Sequence, residues 1–133
     1  MLKRYKSLSI ILGCLYFPIL ISEESTDFQN ISIQSDTVTI NEETRQLTFK
    51  NNIRIKIDGY TIKGSDALLN HKDEKLEVYG KPATIESSKI DGEAEVFVIY
   101  PNKSMSLVGN AKLSNNSNSI KSNFITYQIN SNE

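Results

Sequence analysis

A period of 29 residues constrains this chain more than any other feature. Val38, Ala67, Val96 and Ile125 fall in register, as do Ile40, Leu69, Val98 and Tyr127. Leu47, Leu76 and Met105 form a third set and Phe49, Val78 and Leu107 a fourth, while Asn51, Gly80 and Gly109 mark the same place in each unit. Ile33, Ile62 and Ile120 also match, and in the third unit the series slips by one residue to Ile90. Three units and part of a fourth fill the chain beyond residue 22. A unit of this length cannot bury its apolar face alone, so each needs its neighbours to cover it, and a stacked, extended architecture follows.

Within each unit the apolar period is two. Arg54-Ile55-Lys56-Ile57 and Leu76-Glu77-Val78-Tyr79 alternate oily and polar residues, the pattern of strands buried on one face. Turn residues recur at Asn41 to Thr44, Asn70 to Glu74 and Pro101-Asn102-Lys103, and again at Asn51-Asn52, Gly80-Lys81 and Gly109-Asn110. Reading every one as a chain reversal predicts about ten short strands and no helix. The connections are too short for crossover helices, so neighbours run antiparallel. A strand-only chain of this size hides its apolar face by folding the sheet over as a barrel, sandwich or jelly roll. If the sheet does not close, the strands near Ile31 to Ile40 and Ser119 to Ile129 carry unpaired backbone groups that can recruit another strand.

The N-terminus is set apart from this pattern. Lys3, Arg4 and Lys6 precede a mostly apolar run from Leu8 to Ile21, which together read as a secretory signal over residues 1–22, with cleavage near Ser22. The run is short for a membrane span, although retention as an anchor is the alternative. Ile11-Leu12-Gly13-Cys14 has the look of a lipid-attachment site, but the apolar run continues past Cys14. Residues 23–133 then form one exported domain. The whole chain has 15 Lys+Arg and 16 Asp+Glu; removing the three N-terminal cations leaves 12 against 16, and no cysteine. Stability must come from packing and backbone pairing without disulfides. Nothing in this balance suggests a nucleic-acid-binding surface.

Phe49-Lys50-Asn51-Asn52-Ile53-Arg54-Ile55, Gly80-Lys81-Pro82-Ala83 and Leu107-Val108-Gly109-Asn110-Ala111-Lys112-Leu113 resemble the repeated signatures of the OstA-like family. Ile62-Lys63-Gly64-Ser65-Asp66 and Ile120-Lys121-Ser122-Asn123-Phe124-Ile125-Thr126-Tyr127 do so as well. The order and spacing of the motifs carry the resemblance over residues 31–129. It departs at Asn51-Asn52, where the family often has Gly-Asn; Asn also tolerates a left-handed backbone. The resemblance implies a folded-over antiparallel β-jelly roll, open at both ends, whose interior carries the acyl chains of lipid A while the sugars stay in water. It implies end-to-end joining of similar modules, and inner- and outer-membrane components of a lipopolysaccharide transport bridge as further partners, in the periplasm. No cofactor and no catalytic residue are implied. Each acyl CH₂ exposed to water costs about 0.8 kcal/mol, so a twelve-carbon chain costs roughly 10 kcal/mol and needs a shield.

The candidate lining is Val38, Ile40, Leu47, Phe49, Ile53, Ile55, Leu69, Leu76, Val78, Val96, Val98, Leu107 and Leu113. Periodicity alone favours a filled core, because most inward strand residues only pack; the family resemblance shifts the balance toward a lipid path. Two further readings stand beside the soluble bridge: a relative of its inner-membrane partner with residues 8–21 retained, and a structural or adhesive extracellular repeat module with a filled interior. His71, in Asn70-His71-Lys72-Asp73-Glu74, reads as a solvated turn residue, with no second His to complete a metal site. Asp36 and Asp66 recur near strand starts and read as hydrogen-bonding strand ends rather than an acid–base pair. Lys50, Arg54, Lys56 and Lys63 lie on one side of the first repeat, either as an ordinary charged outer face or as contacts for lipid phosphates.

Overall fold

The structure, a computed structural model, describes residues 31–101 and 103–129. The expected signal segment 1–22, and residues 23–30 after it, lie outside the described residues. Eight strands follow one another: β1 (Ile31–Gln34), β2 (Thr37–Asn41), β3 (Gln46–Ile57), β4 (Tyr60–Asn70), β5 (Lys75–Glu86), β6 (Asp91–Tyr100), β7 (Ser104–Ser114) and β8 (Ser119–Gln128). They make one antiparallel sheet in the order β1-β3-β4-β5-β6-β7-β8, with β2 also on β3 beyond β1. No described helix is long and apolar enough to cross a membrane.

Among the described residues the expected count of about ten short strands becomes eight, because half of the expected turns do not reverse the chain. Asn41, Asn70 and Asn115 do close hairpins: Asn41 Oδ1 accepts the amides of Glu43 and Thr44 at 3.0 and 3.1 Å, and Asn115 Oδ1 those of Ser117 and Asn118. Asn51-Asn52, Gly80-Lys81 and Gly109-Asn110 instead sit mid-strand, where the pairing register shifts and then resumes. Successive positive φ angles at Asn51 and Asn52 (69° and 56°) and at Gly109 and Asn110 (89° and 48°) bend the strand without turning it back.

These bulges lie side by side and form a line along which every long strand bends. On one side is an upper leaf, built from β2, the first halves of β3, β5 and β7 and the second halves of β4, β6 and β8. On the other is a lower leaf with β1 and the remaining halves. The inner faces of both leaves are buried, from Phe49, Leu69, Leu76, Val78, Phe97 and Leu107 in the upper to Ile33, Ile55, Ile62 and Ile85 in the lower. A single sheet covers one whole face only by folding on itself. Tyr60 on β4 hydrogen-bonds Tyr127 on β8, although β5, β6 and β7 separate the two strands. In a flat sheet four strand spacings would hold them about 19 Å apart. The contact therefore passes between the leaves.

Small residues stand where the leaves meet. Ile53 pairs with Gly64, Ala83 with Ala94, and Ala111 with Ser122, the inner level immediately beside the bend on the lower leaf. A Cβ on Gly64 would lie 2.6 Å from the Tyr79 carbonyl oxygen and 2.8 Å from Val78 Cγ1. The closing angle leaves no room there for a larger side chain.

Candidate functional site

The inner face runs unbroken from one edge of the sheet to the other. Of the expected lining, Phe49, Ile53, Ile55, Leu69, Leu76, Val78, Leu107 and Leu113 are buried on it. Val38 and Leu47 are partly buried against the same cluster, and Ile40, opposite Leu47, lies on the same face at the open edge.

Val96 and Val98 are corrections: both lie on the outer face. Phe97 pairs with Val78 and Leu107, and Ile99 with Leu76 and Met105, so Phe97 and Ile99 take the inward places. The reason is a one-residue insertion. β5 accommodates Gly80, Lys81 and Pro82 between the paired Tyr79 and Ala83, where β3 has two residues at its bulge and β7 has two. Everything downstream moves by one, so that Phe97 falls 30 residues after Ala67. The shorter Pro101–Lys103 hairpin then removes a residue, and Ile125 falls 28 after Phe97. An average of 29 hides this pair of opposite shifts.

A cavity of about 770 Å³ lies on the outer face over the bend line, bordered by Asp66, Tyr79, Lys81, Glu95 and Asn110. Polar side chains brace that line. Asn52 Nδ2 donates to Asp36 Oδ2 and Asn110 Nδ2 to Glu95 Oε2, each at 2.9 Å, and Ser65 Oγ donates to the Tyr79 carbonyl at 3.2 Å. The hydroxyl of Tyr79 donates to Glu77 Oε1 at 2.6 Å; that bond, followed by burial, pushes the phenol up to about 12. Tyr60 is likewise pushed up to about 12, first by burial and then by its hydrogen bond to Tyr127.

Asp36 sits in the break between β1 and β2, and Asp66 lies on β4 with β3 between them. His71 begins the β4–β5 turn, its amide donating to the Arg45 carbonyl at 3.0 Å. Lys50, Arg54, Lys56 and Lys63 are all exposed on the outer face.

Sequence reasoning missed Phe97, Ile99 and the row Ala83, Ala94 and Ala111. The period-two alternation of Phe97 and Ile99 competes with that of Val96 and Val98 in an unbroken apolar run, Val96-Phe97-Val98-Ile99, which has no facing signal of its own.

An open antiparallel sheet of recurring strands, bent along one line into two leaves over an apolar interior, defines the folded-over β-jelly roll. The chain belongs to the LptA/(LptD N-terminal domain) LPS transport protein family, whose model matches residues 32–133. It is thus OstA-like and close to LptA. The crystal structure of LptH from Pseudomonas aeruginosa, the LptA-homologous periplasmic component of a lipopolysaccharide transport device, is similar over 80% of this chain and 81% of that one, with a TM-score of 0.71 and 16% identity. A search of curated proteins gives no match.

Proposed function

We propose that this member of the LPS transport family is a periplasmic bridge module that shields the acyl chains of lipid A between its two leaves on the way from inner to outer membrane. The observation that carries the reading is the apolar inner face, continuous across an unclosed sheet. Acyl chains enter by parting the leaves and replacing side-chain contacts among Phe49, Leu76, Val78, Phe97 and Leu107 with contacts to lipid. Those side chains are apolar and lack buried polar partners, so the exchange trades one apolar contact for another.

Modules join end to end. Each strand from β3 to β8 runs opposite to its predecessor, and β1 and β2 run opposite to β3, so β8 and the β1–β2 edge point the same way. A second copy that extends the sheet with its inner face on the same side therefore pairs in parallel with β8. The repeat fixes the register. Ile33, Ser35, Val38 and Ile40 lie 87 residues, three periods, before Ile120, Ser122, Ile125 and Tyr127. Setting these pairs level carries both the bend line and the apolar face across the joint.

Photocrosslinking tests the shielding. Photoreactive residues at Phe49 or Val78, in protein made in a lipopolysaccharide-producing cell, capture the glycolipid, whereas the same label at Lys50 or Glu77 captures several-fold less. Equal capture from both faces rules out an interior path.

A further inference from the structure

The outer face of the lower leaf carries two pairs of like charges placed directly opposite one another. Arg54 on β3 pairs in register with Lys63 on β4, and Lys112 on β7 with Lys121 on β8. All four are exposed. They share one level across the sheet, which starts at Gln34 opposite Arg54 and passes through Thr84 and Glu93 to Lys112. Like charges set directly opposite destabilise a strand pair, and the one salt bridge among the described residues, Lys75 to Glu77 at 3.3 Å, lies on the other leaf. The middle of this face is acidic instead, with Glu86 opposite Asp91 and Glu93 opposite Lys112. The cations are thus gathered toward the two edges of the module.

Their placement gains a meaning at the joint. In the parallel register derived above, Gln34 of an adjoining copy lies level with Lys121, since the two are also 87 residues apart. Lys112 and Lys121 of one copy then continue into Gln34, Arg54 and Lys63 of the next, over about 19 Å at the spacing of β-strands. Lys56, one level outward, adds a fifth cation. Carboxylates flank the strip: Glu93 opposite Lys112, Glu86 one step along β5 from Thr84, the partner of Lys63, and Asp36, which accepts from Asn52. Beside Arg54 and Lys63 a shallow concavity of about 460 Å³ is bordered by Gln34, Asp36 and Asn52. The side chains of Arg and Lys converging on such a strip suit the oxygens of phosphate groups, Arg as a two-pronged donor and Lys as a point charge.

We propose that each end-to-end joint is a composite phosphate-binding site, formed by Lys112 and Lys121 of one copy with Arg54 and Lys63 of the next, so that a polyanion gates assembly of the bridge. This rests on the end-to-end reading. Without an anion the two cation pairs, brought to either side of Gln34 by the joint, repel and weaken it; a phosphate-bearing ligand, whether free or as the headgroup of a glycolipid, bridges them. The device would couple module joining to the arrival of phosphorylated cargo.

The test measures self-association of the full chain by analytical ultracentrifugation at fixed ionic strength in chloride, in pyrophosphate, and with micelles of phosphorylated lipid A. Pyrophosphate is expected to tighten association about fivefold or more over chloride, since an anion bridging Lys121 of one copy and Arg54 of the next, about 10 Å apart across Gln34, holds the two copies together. The variants Arg54→Gln and Lys121→Gln associate more tightly than the original chain in chloride and lose the response. Because each removes one member of a repelling pair, their unfolding midpoints are unchanged or higher, which separates a lost site from a damaged fold. A response to lipid A micelles but not to pyrophosphate assigns the site to the headgroup; a response to both assigns it to phosphate as such. Association that is indifferent to either anion, or variants that respond as the original chain does, overturns the proposal. A chain that never associates, with or without anion, overturns the end-to-end reading together with it.

Discussion

The two edges of the sheet carry the same repeat positions in different surroundings. Ile33 on the β1 edge is 2% exposed, and Ile120, its equivalent on β8, is 52% exposed. On the upper leaf the order inverts: Ile40 is 44% exposed on the β2 edge, whereas its β8 equivalent, Tyr127, packs against the core. Ile125 is buried and its counterpart Val38 only partly so. The lower leaf is thus covered at the first edge and bare at the last, and the upper leaf the reverse. Two leaves of a right-twisted sheet cross at an angle and overlap along one diagonal. The overlapping corner is where Tyr60 meets Tyr127. At each end one leaf overhangs, offering Ile40 at the first edge and Ile120 at the last. In the end-to-end joint proposed above, copies would lap these overhangs, one apolar tongue under the other, so that the interior closes around the joint.

The largest effect should come from charging an overhang. Ile120→Asp places an unpaired carboxylate in the lap, a cost of several kcal/mol, and is expected to weaken association about a hundredfold while the circular dichroism spectrum of the isolated module stays unchanged. Ile40→Asp should do the same from the other side. Association that survives both changes would show that the bare corners are ordinary surface and that the difference between the edges serves nothing.

A smaller effect distinguishes the edges within one module. Ile33→Ala removes buried methylenes and should cost about 2–5 kcal/mol in urea unfolding. Ile120→Ala, three repeats on, should stay within about 0.5 kcal/mol. Equal costs at the two positions would mean that the leaves do not cross as described.

How much of this was legible beforehand depends on which residues are asked about. The facing of Leu47, Phe49, Leu76 and Val78 is legible because each alternates with polar or charged neighbours and recurs at one interval. The antiparallel order followed from connections too short to cross over. Val96 and Val98 misled because β6 is apolar on both faces there, and the extra residue at Gly80-Lys81-Pro82 reverses which face is inward without leaving a mark in β6 itself. Bends and reversals look alike in sequence, since Asn and Gly supply a positive φ to both; only cross-strand pairing distinguishes them. The edge asymmetry was illegible altogether. Ile33 and Ile120 have equivalent places in the repeat, and their exposures differ through the twist of the whole sheet, which no local pattern encodes.

The mildest change bears on the overlapping corner alone. Tyr60→Phe keeps the ring against the core and removes the hydroxyl that meets Tyr127, so at neutral pH it should cost about 1 kcal/mol, the net worth of one hydrogen bond. The pH dependence identifies the cause. The folded phenol titrates near 12 against an ordinary 10, so its stabilising contribution is fully present below pH 10. As pH rises from 10 towards 12, the unfolded chain releases a proton that the folded chain retains, and stability falls. Urea midpoints of the original chain should therefore drop more steeply across that interval than those of the Tyr60→Phe variant. Parallel slopes would place the Tyr60 hydroxyl in water in the folded molecule, and the crossing of the leaves at that corner would lose its direct support.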